Sequence, residues 1–319
     1  MDVVISVKNL EKVYKRQRRK SGLKNVIKDF FRRQYTEIQA LKKVSFTVRK
    51  GEIIGYIGPN GAGKTTTLKI LSGILYPSGG DVEVLGFTPW KRKREFLKKI
   101  TLIMGQKNQL WWDIPAMDSF LLFKEIYEVP DHIFKKQINT LLDMLDAGKL
   151  VNYPVRHLSM GERMKMEIVA ALIHNPDIIF LDEPTIGLDV MSQTSIREFL
   201  SAYNKEFQKT IILTSHYMKD IEELSNRVIF IMNGEIIYDG SIDKLISRTL
   251  SHEYVEVTFG TGKGFVKKSY KVKKEEMPDF LRRILISNNG SIVEIKHKKP
   301  DLEEVARIIM ASKGIKKDE

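Results

Sequence analysis

No cysteine occurs in the 319 residues, so the chain carries no disulfide and no thiolate-ligated zinc or iron–sulfur site. That fits a reducing compartment without requiring one. No apolar run comes near the ~18 residues that a membrane-crossing helix needs. The longest candidates, such as Val228-Ile229-Phe230-Ile231-Met232, have the length of a strand. The opening MDVVISVKNL lacks the basic-then-apolar layout of a secretory signal. The expectation is a soluble or peripheral protein, not a channel.

What is present supports a packed core: 42% of residues are hydrophobic, and 29% charged is near the ordinary globular level, which argues against wholesale disorder. The net charge of +13 invites a nucleic-acid reading, but its distribution is uneven. Nine Lys/Arg and one acid, Asp29, lie between Lys15 and Arg33, so that segment holds +8 of the total. The body of the chain is only mildly basic.

Strand signals occur at Val3–Val7, Val44–Val48 and Glu52–Ile57, the last a continuous apolar run of the kind buried on both faces. A glycine-rich loop follows, and then a helix pattern from Thr65 to Ser72 that ends at Gly73. Residues from about 96 to 175 read mostly as helices. Strands return at Asp177–Leu181 and Lys209–Thr214, and Asn233-Gly234 joins Arg227–Met232 to Glu235–Tyr238 as a hairpin. Alternating strands and helices indicate an α/β core with a parallel sheet. From Ser251 onward the pattern predicts a separate β-β-α-β-α unit. The expected domains are 1–245, with a helical subdomain at about 96–175, and 251–319.

The loop Gly58-Pro59-Asn60-Gly61-Ala62-Gly63-Lys64-Thr65 sits between a buried strand and a helix, the context a phosphate site requires. Its glycines let backbone N–H groups approach phosphate oxygens, and the helix N-terminus adds partial positive charge. Lys64 adds a full charge, and the Thr65 hydroxyl is placed to ligate Mg²⁺. Further on, Ile178-Ile179-Phe180-Leu181 delivers two acids, Asp182 and Glu183, to a strand's C-terminal end beside that loop. Asp182 suits Mg²⁺ through water, and Glu183 suits polarisation of an attacking water. The chain carries one such loop. The implied ligands are ATP and Mg²⁺.

Over roughly residues 1–240 the chain resembles the ATP-binding subunits of ABC transporters. Leu158-Ser159-Met160-Gly161-Glu162-Arg163 is similar to the family signature LSGGQ, with Met160 for Gly and Glu162 for Gln. Alone, the same residues read as a helix cap. The resemblance implies a P-loop NTPase core with a helical subdomain, in which Ser159 and Gly161 bind the γ-phosphate of ATP held by the other subunit of a dimer. It also implies nucleotide contacts from Thr66 and Asp189, adenine stacking by Tyr14, Mg²⁺ and water contacts for Gln106, and a γ-phosphate contact for His216. Gly187-Leu188-Asp189 resembles the loop that communicates across the dimer. The implied whole is an ATPase dimer at the cytoplasmic face of a membrane, attached to separate polytopic permease subunits.

The C-terminal appendage and the LSMGERMKMEI sequence most resemble the type-two exporter branch, which includes drug, antibiotic and polysaccharide systems, and the Trp111-Trp112 segment with the insertion after Tyr14 is similar to the viologen-exporter-like group. An alternative is a soluble ATPase of the same type acting on DNA or ribosomes. Such proteins typically carry two cassettes, coiled coils or zinc cysteines, and this chain has none of them.

Two segments stand outside the shared pattern. In the insertion at about 15–38, Leu23, Val26, Ile27, Phe30 and Phe31 recur at helical spacing among basic residues. This amphipathic stretch suits an anionic membrane surface, a partner's groove or its own domain. In Gln106–Pro115, Trp111 and Trp112 either grip a partner helix or fill the helical insert.

Overall fold

The computed structural model describes residues 2–17, 35–249, 252–261, 264–287, 292–298 and 301–312. It forms two compact units, Met1–Asp239 and Gly240–Glu319. The divide precedes the expected 245 because the helix Ile242–Thr249 packs on Leu302–Ser312, inside the second unit, with its Ile242 and Leu245 buried.

The first unit holds two sheets. Strands β1 (Val3–Gln17), β2 (Tyr35–Arg49) and β4 (Gly79–Val84) form an antiparallel sheet in the order β2-β1-β4. Strands β3 (Ile53–Ile57), β5 (Ile100–Met104), β6 (Ile178–Asp182), β7 (Thr210–Thr214), β8 (Arg227–Met232) and β9 (Glu235–Ser241) form the second, in the order β5-β6-β7-β3-β8-β9. Every residue of β6 and β7 is buried, as a parallel strand covered on both faces requires. Ile5, Val7, Phe46 and Val48 of the first sheet share one core with Ile54, Tyr56, Phe180, Ile212 and Ile229 of the second. Leu68 and Ile70 of helix α1 (Lys64–Leu71) complete it. Asn233 and Gly234 both have positive φ, +50° and +80°, the backbone of a tight two-residue hairpin.

Between β5 and β6 lies a helical insert: α3 (Ala116–Tyr127, after the short α2, Arg94–Leu97), α4 (Asp131–Met144) and α5 (Met160–Leu172). Phe134, Ile138, Leu141 and Leu142 line the buried face of α4 at the spacing an amphipathic helix dictates. The insert is narrower than 96–175, because Ile100–Met104 is a strand paired in parallel with β6, Met104 opposite Asp182. Four apolar residues and one threonine between helical patterns carry no period that separates strand from buried helix.

The basic insertion is also narrower than 15–38. Lys15, Arg16 and Gln17 pair with Glu37, Thr36 and Tyr35 in the β1–β2 ladder, so both ends are strand. Leu23–Phe31, the amphipathic stretch itself, lies outside the described residues.

The second unit has strands β10 (His252–Thr261), β11 (Gly264–Lys273) and β12 (Ile292–Lys298) in the antiparallel order β11-β10-β12. Val255, Val257 and Val272 face Ile284 of the helix Met277–Ser287 in a small core.

Candidate functional site

The ends of β3, β6 and β7 converge on one edge of the parallel sheet, the edge where open α/β sheets bind ligands. The glycine-rich loop leaves β3, Asp182 and Glu183 end β6, and Ser215-His216 follows β7. A cavity of about 340 Å³ opens there, lined by Asn60, Gly61, Gly63, Lys64, Thr65 and Thr66 of the loop with Gln106, Glu183 and His216. Ala40 of β2 completes it, a position no motif marks. A second cavity of about 150 Å³ adjoins, shared by Thr65, Gln106, Asp182 and Glu183.

Gly63 begins α1 in the left-handed region at φ +111°, where a Cβ would lie 2.8 Å from the Ala40 carbonyl. The Lys64 ammonium is nearly buried and donates to the carbonyls of Gly58, at 2.7 Å, and Pro59, at 3.1 Å. Burial lowers its pKa, opposed by the charges of Glu183 and Asp182. Ala62 turns inward and packs into the core.

Thr214 organises the two acids, a role no motif marks. Its hydroxyl donates to Asp182 Oδ1 at 2.7 Å and accepts from the Glu183 N–H at 3.1 Å. Glu183 holds a left-handed backbone, φ +56°, a conformation uncommon for a residue with a side chain. Its Oε1 lies 2.7 Å from His216 Nε2.

Behind them, fully buried Asp220 accepts from the hydroxyls of Thr185, at 2.5 Å, and Ser215, at 2.7 Å, and from Arg197 Nη1 at 2.9 Å. One carboxylate thus ties the segments carrying Glu183 and His216 to the long helix α6 (Val190–Phe207).

The cavity residues suit Mg-ATP. Thr65, Gln106 and Asp182 present only oxygen donors or amide groups, the hard ligands that Mg²⁺ prefers. Among the described residues no three His, Asp or Glu side chains cluster as a closed metal cage. An ion here therefore takes its remaining ligands from phosphate and water.

Tyr14 reaches the loop from β1: its hydroxyl lies 3.3 Å from Thr66 Oγ1, and Lys12 Nζ sits 5.3 Å from its ring centroid. Ser159, Gly161 and Asp189 form a separate group that lines neither cavity. Ser159 caps α5 in a reciprocal box with Glu162: its hydroxyl accepts from the Glu162 N–H, and its own N–H donates to Glu162 Oε2 at 2.9 Å. The Ser159 N–H and hydroxyl hold the Glu162 carboxyl below its usual pKa range. Glu162 therefore does a capping job that Gln also performs in such boxes.

Asp189 caps α6, accepting from the Met191 and Ser192 N–H groups and, at 2.6 Å, from the Ser192 hydroxyl. A Cβ on Gly161 would meet that Ser192 oxygen at 2.1 Å, so glycine is what lets α5 lie against α6. Met160 packs its thioether toward Gly187. Trp111 and Trp112 are each nearly half exposed, so neither is a core filler of the insert.

Comparison with known proteins agrees with this geometry. The model of the family described as ABC transporter matches residues 41–186. The ABC transporter ATP-binding protein NatA of Bacillus subtilis is 38% identical over 216 residues, 68% of this chain and 87% of that protein. The Nod factor export ATP-binding protein I of Ralstonia nicotianae is 34% identical over 71% of this chain and 70% of its own length. The methionine import ATP-binding protein MetN 2 of Enterococcus faecalis is 35% identical over 68% and 64%. The ATP-binding cassette MJ0796, solved as a dimer in a post-hydrolysis state bound to ADP and Pi, superposes with a TM-score of 0.61 at 26% identity, over 75% of this chain and 98% of its own.

Proposed function

This chain belongs to the ABC transporter family of ATP-binding subunits and is an ATPase, and from that premise we propose that two copies sandwich two Mg-ATP and drive an exporter through separate membrane subunits. The division of the site carries this reading. Loop, Glu183 and His216 share one cavity, with Asp182 in the adjoining one, while Ser159, Gly161 and Asp189 stand apart on the helical insert and α6. A second copy presenting its Ser159–Gly161 helix N-terminus to the γ-phosphate completes each site.

In that arrangement the loop N–H groups and Lys64 bind the β- and γ-phosphates, and Tyr14 stacks on adenine. Thr65, Gln106 and Asp182 would hold Mg²⁺, which when bound would supply positive charge against the phosphate oxygens. Glu183 takes a proton from the attacking water, held in orientation by its contact with His216 and the left-handed backbone. Once Glu183 is protonated it no longer holds His216 as a carboxylate does, and the same Nε2–H turns to hydrogen-bond the γ-phosphate.

Exposed Trp111 and Trp112, with Leu121, Leu122 and Ile126 exposed on α3, supply the apolar surface that a permease helix would meet. No described helix is long and apolar enough to cross a membrane; in this reading the translocation path belongs to the permease subunits. The export direction is supported by the exporter-like signature region and the Nod factor relative; the import relative makes direction a matter for assay.

The test is co-expression with polytopic partners. Sedimentation with membranes only in their presence, with ATP-driven efflux from the vesicle interior, is the expected outcome. Salt-dependent binding to DNA without membrane association would overturn the proposal.

A further inference from the structure

Helix α5 carries a carboxylate at the start of its buried C-terminal half, Met166–Leu172, where every other residue is apolar. Glu167 is 3% exposed, two turns beyond the capped N-terminus at Ser159. Its partners are peptide groups of the segment that follows Gln106. The Gln109 N–H lies 3.0 Å from both carboxylate oxygens, and the Leu110 N–H is 3.3 Å from Oε1. Burial raises the pKa of Glu167, and these amides together with the charge of Arg163 pull it back.

A charged acceptor makes stronger hydrogen bonds than a neutral one, and loop amides turned into an apolar interior need an acceptor. The same segment is tied to α5 and its lead-in elsewhere. The Arg163 guanidinium lies 5.4 Å from the Trp112 ring centroid, and the Arg156 N–H donates to the Trp112 carbonyl at 2.9 Å. At its other end, the Gly105 N–H donates to the Asp182 carbonyl at 2.9 Å, so the segment begins against the catalytic acids.

We propose that Glu167 is a positioning residue that couples the loop behind Gln106 to the signature helix, so that a shift of Gln106 is passed to Ser159 and Gly161. The inference rests on the roles proposed above for those three residues. The helix between Ser159 and Glu167 is a rigid rod of about 12 Å, so a displacement imposed at the carboxylate reaches the helix N-terminus undamped. Glu167 touches neither nucleotide nor water in this scheme and acts only through the helix and the loop.

The experiment uses the full chain with Mg-ATP. Glu167→Gln keeps size but replaces one acceptor oxygen with a donor facing the Gln109 N–H. The expected result is a kcat lower by roughly 10- to 100-fold with KM for ATP unchanged. Hydrogen exchange of the Gln109 and Leu110 amides should accelerate. In the Gln106→Ala background the same change should add little, because both substitutions cut one line of coupling. Glu167→Asp, which retracts the carboxylate by one methylene, gives an independent arm should the Gln variant fail to fold.

Multiplicative losses in the double variant overturn the proposal. So does a folded Glu167→Asp or Glu167→Gln chain with freely exchanging amides and wild-type kcat. A wild-type kcat in Gln106→Ala alone would instead remove the role of Gln106, a different failure and visible as such.

Discussion

The two groups of residues that the proposed function assigns to the nucleotide, the phosphate half and the signature half, are built on opposite principles. The phosphate half is interior: Lys64 and Asp182 are nearly buried, Thr214 and Asp220 fully so, and each is held by named partners. The signature half is exterior: Met160 is 39% exposed, Val190 70% and Met191 79%, around helix ends that are capped by their own side chains. The first is organised to hold charge in fixed positions, which is what electrostatic catalysis demands. The second is organised as a surface, with its polar groups satisfied locally and its apolar groups left outward. On the proposed function, chemistry is thus preassembled in one chain, and its completion is left to an encounter with a second copy.

The most severe way to break this asymmetry is to disable the phosphate half alone. Glu183→Gln should lower kcat by about 10²- to 10⁴-fold, the range for loss of a general base, while ATP binding persists. Under ATP the variant should elute as a dimer in size-exclusion chromatography. A turnover near that of the unmodified chain would remove Glu183 from the role of water activator.

A complementation assay sharpens the same contrast. Lys64→Ala and Gly161→Asp damage opposite halves, and each alone should abolish ATPase activity. Mixed, they should regain activity, since a heterodimer unites one intact loop with one intact signature helix. No recovery at any mixing ratio would mean that both halves act within one chain.

Next in size is the support beneath the phosphate half. Asp220→Ala leaves the Arg197 guanidinium buried without its principal counter-charge, a loss of about 3–5 kcal/mol in stability. Chemical denaturation of the first unit reads it directly. Asp220→Asn, which keeps an acceptor for Arg197 or for the hydroxyls but not both, should fall between. An Ala variant as stable as the parent would show that Thr185, Ser215 and Arg197 find other partners.

The phosphate half was legible in the sequence because its main motif is contiguous: Gly58–Thr65 is strand end, loop and helix start in one run. Asp182 and Glu183 followed from an apolar strand that ends in acids. His216 and Gln106 came only through family resemblance, since a single His or Gln carries no local signal. Thr214, Asp220 and Glu167 were illegible for a physical reason. Their partners lie 31 to 58 residues away in the case of Glu183, Thr185 and Gln109, and only the packed sheet and helices bring them together. Strand β5 was missed because Ile100–Met104 is too short and too uniformly apolar to show a period, and β1 was read short because its outer end, Lys8–Gln17, is rich in charge and lacks apolar alternation.

The signature half is joined to the sheet through the helical insert, and that joint offers the mildest perturbation. His174, just beyond α5, stacks on Tyr127 of α3 at 3.8 Å between ring centroids, and its Nε2 lies 3.1 Å from the Ile100 carbonyl of β5. Burial pushes its pKa down to about 4, with the nearby Lys209 charge acting the same way and the Ile100 carbonyl opposing. The unfolded chain binds a proton near pH 6.5, and the folded chain resists until about 4. Stability contributed by neutral His174 is therefore complete above pH 6.5 and lost as pH falls toward 4, up to about 3 kcal/mol. Hydrogen exchange should show Tyr127 and the C-terminal turn of α5 loosening before the Gly58–Thr65 loop does. His174→Phe keeps the stacked ring without the titrating group, so its denaturation midpoint should be flatter across this window than that of the unmodified chain. Equal slopes in the two proteins would place the acid sensitivity elsewhere and leave the joint as firm as the half it supports.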